Sequence, residues 1–171
     1  QMYRGRPDVI DADLSDYFGN IPHVEMLKSL ARRVVDRRAL SLLKRWLESP
    51  VEERDSKGRT TKTTEAKDQR RGIPQGSPVS PLLANLYMRR FVVAWKQFGL
   101  NERLGSFIVT YADDLVILCR RGKADDASSW MRKIMEKLKL TVNEEKTRIC
   151  RIPEESFDFL GYTFGRLYSQ K

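Results

Sequence analysis

The sequence predicts an α+β fold, an antiparallel sheet with helices packed on one face. Three observations lead there. Strand, helices, paired strands, helix and strand follow one another in an order that suits a layered α+β domain. Two apolar runs separated by only four residues make a hairpin, which forces antiparallel pairing. The third is size: 171 residues with 40% hydrophobic side chains can bury one core, and no Gly/Ser-rich or Pro-rich linker divides them. One domain over residues 1–171 is expected, with the second face of the sheet open to a ligand.

Asp8 to Leu14 alternates, with Ile10, Ala12 and Leu14 on one side and Val9, Asp11 and Asp13 on the other, so the first strand has an apolar back and an acidic front. After Gly19-Asn20 and Pro22, the helical spacing of Val24, Leu27, Leu30, Ala31 and Val34 predicts a helix, and Leu40, Leu43, Trp46 and Leu47 predict another. Ser49 to Arg71 is polar and reads as a hairpin or loop turning at Ser56-Lys57-Gly58. Pro78 and Pro81 suit a helix start, and Leu83, Tyr87, Phe91, Trp95 and Phe98 then form one continuous apolar stripe on a long helix. Ser106–Thr110 and Leu115–Cys119 form the hairpin, with Tyr111-Ala112-Asp113-Asp114 at its tip. Ala124, Ala127, Met131, Ile134 and Leu138 mark a further amphipathic helix, Thr147 to Ile152 a short strand, and Phe157 to Phe164 a last hairpin around Gly161.

Composition narrows the chemistry. Thirty-two Lys and Arg against 23 Asp and Glu leave a net charge of +9, which favours polyanionic partners such as nucleic acid. Arg32, Arg33, Arg37, Arg38, Arg70, Arg71, Arg89, Arg90, Arg120, Arg121 and Lys123 spread this charge along the chain, suiting sequence-independent phosphate contacts. Two cysteines and one histidine are too few for a zinc centre or a disulfide framework, so Cys119 and Cys150 read as reduced structural thiols and His23 as a packing or capping residue. Charged residues interrupt every apolar stretch and no leader is apparent, so a soluble, cytoplasmic protein without a membrane partner is expected.

The strongest chemical signal is the acidic tip. Adjacent carboxylates at a tight turn between apolar strands repel each other unless a cation sits between them. Mg²⁺ takes such hard oxygen ligands, and a third acid from the first strand would complete a two-ion site, with ions roughly 4 Å apart, for an in-line displacement at phosphorus. Asp13 is the natural third ligand, although the pattern by itself does not rank it above Asp11.

Four ordered blocks then resemble the palm of a reverse transcriptase of the group II intron-encoded family, across nearly the whole chain. They are Ile10 to Ile21, Gly72 to Asn85, Tyr111 to Asp114, and Leu140 to Thr147 followed by Phe159-Leu160-Gly161-Tyr162. The resemblance implies a polymerase palm with a small part of the fingers, and assigns Asp13, Asp113 and Asp114 as the catalytic, metal-binding acids. It ranks Asp13 above Asp11 because the family's acid stands five residues before an aromatic, here Phe18. Phe18 is similar to the family's steric gate, which selects deoxynucleotides by clashing with a ribose 2′-hydroxyl. Gln75 and Gly76 resemble the residues beside the incoming nucleotide, Lys146 a lysine near the active site, Tyr111 a support of the turn that touches the primer end, and Gly161 the backbone approach of a primer grip.

What the resemblance implies is RNA-directed DNA synthesis: two Mg²⁺ ions, with Mn²⁺ as a substitute, an RNA template with a DNA primer, dNTPs, and group II intron RNA as a partner in mobility and splicing. A maturase-like RNA-binding scaffold without polymerase activity, a retron or CRISPR-associated reverse transcriptase, and another palm-fold nucleotidyl enzyme such as a nucleotide cyclase are the alternatives. The family's N-terminal fingers and helical thumb have no counterpart blocks here. The 171 residues are therefore expected to be a palm-centred fragment that binds Mg²⁺ weakly and extends primers poorly by itself.

Overall fold

In a computed structural model of the chain, the structure describes residues 5–54 and 60–165, with only the backbone for Glu53 and Arg54. The expected turn at Ser56-Lys57-Gly58 lies outside the described residues. The elements run β1 (Asp8–Ala12), α1 (Tyr17–Asn20), α2 (His23–Ala31), α3 (Arg37–Leu47), β2 (Val51–Arg54), β3 (Thr60–Thr63), α4 (Glu65–Gln69), α5 (Ser80–Gln97), α6 (Leu100–Arg103), β4 (Phe107–Tyr111), β5 (Asp114–Cys119), α7 (Ala124–Lys137), β6 (Arg148–Arg151), β7 (Phe157–Phe159) and β8 (Tyr162–Phe164). They gather into two compact units, one of Gln1–Ser15 with Met88–Lys171, the other of Asp16–Tyr87.

The first unit is built on a four-stranded sheet in the order β4-β5-β1-β6. Every pairing in it is antiparallel. β5 and β6 therefore run parallel on either side of β1, joined through α7, a split β-α-β connection. On the back face lie Ile10, Ala12, Leu115 and Ile117, all buried, and α7 packs against β1 and β5 with Ala127, Met131, Ile134 and Met135 buried. Cys119 and Cys150 are both free thiols, buried in this unit.

The front face departs from expectation. Val9, read as part of an acidic front, is fully buried in a second core with Val116, Leu118, Cys150, Ile152 and Phe157. The hairpin of β7 and β8 closes over it, contributing Phe159 and Phe164 as well. The rings of Phe157 and Phe164 stack with centroids 5.3 Å apart. The face is thus not open along its length: its half near Val9 is a core, and its half near Asp11 carries the charged groups. A strand buried on both faces near one end loses the simple alternation that sequence reading relies on.

The second unit holds α1 to α4 and the hairpin of β2 and β3, with Tyr17, Ile21, Met26, Leu30, Leu47, Ile73, Leu83 and Tyr87 in its core. His23 is buried here with Nε2 2.7 Å from the Gly72 carbonyl, a packing role. Of the hairpin or loop expected over this polar stretch, β2 and β3 pair as the hairpin, and α4 is an addition; it has five residues and buries none of them, so it leaves no periodic signal. In α5 the stripe holds for Leu83, Tyr87, Phe91 and Trp95, each at most 2% exposed. Phe98 lies just past the helix end, 40% exposed, and its ring packs at a tilt against Trp130 instead.

Candidate active site

The acidic turn is built first by local geometry. Tyr111 pairs with Asp114 across the β4–β5 hairpin, leaving Ala112-Asp113 as a two-residue loop. Ala112 takes φ 52°, as at the first loop position of a tight hairpin turn with left-handed backbone. For a residue with a Cβ that conformation costs about 1–2 kcal/mol. Alternation along β5 puts Asp114 on the front face with Val116, and Tyr111 beside it on β4 is 62% exposed.

Asp13 follows the last residue of β1, and partners far along the chain hold it there. Its N–H donates to Thr147 Oγ1 at 3.3 Å, and its carbonyl accepts from Asn143 N–H at 2.9 Å. Ser15 N–H donates to the Thr141 carbonyl at 2.9 Å, and Leu14 bridges Val142. The Leu140–Thr147 block is shaped in turn by Asn143, whose Oδ1 accepts from the N–H groups of Glu145 and Lys146 at 3.2 and 3.3 Å, an Asx turn. Glu144 ties the block to α7 through a two-pronged pair with Arg132, at 2.9 and 2.6 Å, and that guanidinium holds the Glu144 carboxyl below the usual range. Lys146 Nζ then stands 3.8 Å from Asp13 Oδ2. Asn143 and Thr147 lie in a block the sequence singles out, but neither they nor Arg132 were expected to have a role at the site. The Asn before a short polar turn was a visible signal, while the Thr147 and Arg132 contacts depend on pairing over distance.

The acids lie near enough to one another for their charges to repel. The Asp114 carboxyl is raised above its ordinary value, by burial first and then by the negative charges of Asp113, Asp13 and Asp11. Asp11, on the same face, is raised by burial, an effect opposed by the Arg148 guanidinium, whose Nε donates to Asp11 Oδ2 at 3.2 Å. Among the described residues no three His, Cys, Asp or Glu side chains converge closely enough to hold a metal as they stand. By its chemistry the donor set suits Mg²⁺, since carboxylates offer the hard oxygen ligands that ion takes.

Phe18, Gln75 and Gly76 belong to the second unit, where with Ser77, Pro78, Ser80 and Pro81 they line one cavity of about 400 Å³. Phe18 sits in the four-residue α1, half-buried, its ring edge-on to Tyr17 at 5.6 Å. A Cβ at Gly19 would lie 2.0 Å from Oδ2 of Asp16, so a larger residue there would displace the carboxylate that caps the Gly19 N–H. Tyr17 is fixed by its hydroxyl donating to the Ala84 carbonyl at 2.6 Å. Gly76 adopts φ 83°, open only to glycine without strain. At the tip of the β7–β8 hairpin, Leu160 and Gly161 have φ of 53° and 78°, the two left-handed positions of a type I′ turn, so the turn itself requires Gly161.

Comparison with known proteins follows this geometry. The family profile described as reverse transcriptase (RNA-dependent DNA polymerase) matches residues 5–164. The Escherichia coli (strain K12) Protein YkfC is 29% identical over 192 residues, covering 95% of this chain and 48% of that protein. The Putative COX1/OXI3 intron 1 protein of Saccharomyces cerevisiae is 27% identical, covering 96% of this chain and 25% of that protein, and an uncharacterized 91 kDa protein in cob intron of Schizosaccharomyces pombe is 25% identical over 90% and 18%. The chain thus spans about half, or less, of the length of these curated relatives. In fold it is similar to telomerase from Candida albicans, solved with a fragment of telomeric RNA (TM-score 0.67, 15% identity, 91% of this chain, 29% of that one), and to apo telomerase from Candida tropicalis truncated from its C-terminal domain (TM-score 0.68, 12%, 91% and 33%). Among the described residues no helix is long and apolar enough to cross a membrane.

Proposed function

Because the chain belongs to the reverse transcriptase family, we propose that it carries the catalytic palm of an RNA-directed DNA polymerase, transferring dNMP from a dNTP to a primer 3′-hydroxyl on an RNA template. The observation that carries this reading is the β1–β5 register, Ala12 opposite Leu115, which puts the next residues out, Asp13 and Asp114, at the same end of the sheet. Asp13, Asp113 and Asp114 would hold two Mg²⁺ ions. When bound, these ions supply the charge that activates the attacking oxygen and stabilises the leaving pyrophosphate. The chain's own part is placement: the Asn143 and Thr147 contacts set the Asp13 backbone, and the strained Ala112 turn aims Asp113 and Asp114. Lys146, beside Asp13, offers a positive charge for phosphate oxygens. In the second unit, the cavity of Phe18, Gln75 and Gly76 would receive the nucleotide's sugar; in the first unit, Tyr111 and Gly161 would contact the primer.

A group II intron as the host element is supported by the two relatives described as intron proteins; intron RNA is then the partner, and assistance to splicing a second role. Primer extension on an RNA template by the protein and its Asp113→Ala variant tests the polymerase reading. Extension should fall at least about 10³-fold in the variant, since a metal ligand supplies several kcal/mol of transition-state stabilisation. Equal activity in both would overturn the reading in favour of an RNA-binding scaffold.

A further inference from the structure

The front face carries one cation that the acid cluster does not explain. Arg148 opens β6 directly opposite Asp11, so the two side chains share that face. Its Nε is spent on Asp11 Oδ2 at 3.2 Å, while among the described residues no acceptor engages its two terminal amino groups. The Arg148 side chain is 52% exposed, that of Asp11 25%. The row beside them, Val9 with Cys150, is core; on the other side lie Asp13 and the acidic turn.

We propose that Arg148 is a phosphate-contact residue for the bound nucleic-acid strand, with Asp11 as its positioning residue, an inference that rests on the polymerase reading above. Stability by itself does not account for the pair: an ion pair half-sunk beside a hydrophobic core is commonly matched or bettered by apolar residues of similar volume. The pair does what an anion site needs. A guanidinium anchored through Nε keeps its other donors in a fixed planar fork, the geometry that fits phosphate. Asp11 limits the freedom of a long side chain, so less order is lost on binding. Asp158, on the covering hairpin, adds a weaker attraction for the guanidinium without touching it. Asp13 follows Asp11 by two residues, just past the end of β1, so a phosphate on Arg148 belongs to a strand running past the reacting end. A polyanion approaching four carboxylates needs such a local cation.

The experiment compares the full chain, Arg148→Gln and the double variant Asp11→Asn/Arg148→Gln, with melting temperature as a folding control. Affinity for an RNA–DNA primer–template is read by fluorescence anisotropy across a salt series, and KM for dNTP by primer extension. Arg148→Gln should weaken strand binding about tenfold and lower the slope of log K against log salt by roughly 0.7–0.9, one phosphate contact. The double variant should recover melting temperature, with Asp11 no longer an unpaired charge, yet keep the binding loss. Recovery of affinity in the double variant, or an unchanged salt slope in Arg148→Gln, would overturn the proposal as a purely structural pair. A loss confined to KM for dNTP would overturn the strand assignment, placing the nucleotide's own phosphates there. If the unmodified protein neither binds nor extends a primer–template, it is the polymerase reading that fails.

Discussion

Asp114→Asn separates stability from catalysis at the acidic turn. Asp114 is exposed, yet its carboxyl is raised from the ordinary 3.8 by burial and by Asp113, Asp13 and Asp11. A carboxyl whose folded pKa lies above its unfolded value makes the native state the better proton binder between the two, so stability falls as pH rises through that window and the cost persists at neutral pH. Below pH 3.8 the cost is gone. The amide removes one charge from the cluster at nearly constant shape. With solvent screening at this exposed position, each like-charge contact is worth only about 0.2–1 kcal/mol. For a chain of this size that corresponds to a melting temperature about 1–3 °C higher for the variant at pH 7. Thermal melts in a pH series from 7 to 3.5 check it: the gap should close as the pH passes below 4. Added Mg²⁺ should raise the melting temperature of the parent and leave that of Asp114→Asn nearly unmoved, because binding to the native state stabilises it. A variant that melts lower than the parent at pH 7, or a gap that persists at pH 3.5, would refute the clustering argument.

Three further outcomes follow from the same geometry. Phe18→Ala opens the cavity it shares with Gln75 and Gly76, and the preference for dNTP over rNTP should drop at least about tenfold, about 1.4 kcal/mol, in competitive single-nucleotide incorporation. Thr147→Val removes the acceptor for the Asp13 N–H; urea unfolding should show a loss of about 1 kcal/mol, and steady-state extension a lower kcat with KM for primer–template unchanged. Burial pushes the Cys119 thiol up to about 12, so at pH 8 it should resist iodoacetamide in the native protein and react once guanidinium unfolds it, as read by mass spectrometry.

Local pattern carried the elements whose partners are near in sequence. The Tyr111–Asp114 hairpin, the buried stripe from Leu83 to Trp95 and the amphipathic α7 were legible because alternation and helical period record which side of an element is apolar. The same logic could not tell that Val9, one residue from a buried neighbour on either side, would be covered by a hairpin some 150 positions later, since the pattern records apolarity and not the element that covers it. α4 left no trace because five residues, none of them buried, have no period to read. Asp11 and Asp13 look alike in the sequence; what distinguishes them in the fold is the register of β1 with β6 and with the Leu140–Thr147 block, which pairs one with Arg148 and sets the other against Thr147 and Lys146. Residue identity thus determined which chemistry was available, carboxylates beside a turn and cations on the next strand. Cross-strand register, a property of pairing between distant segments, decided which charge meets which.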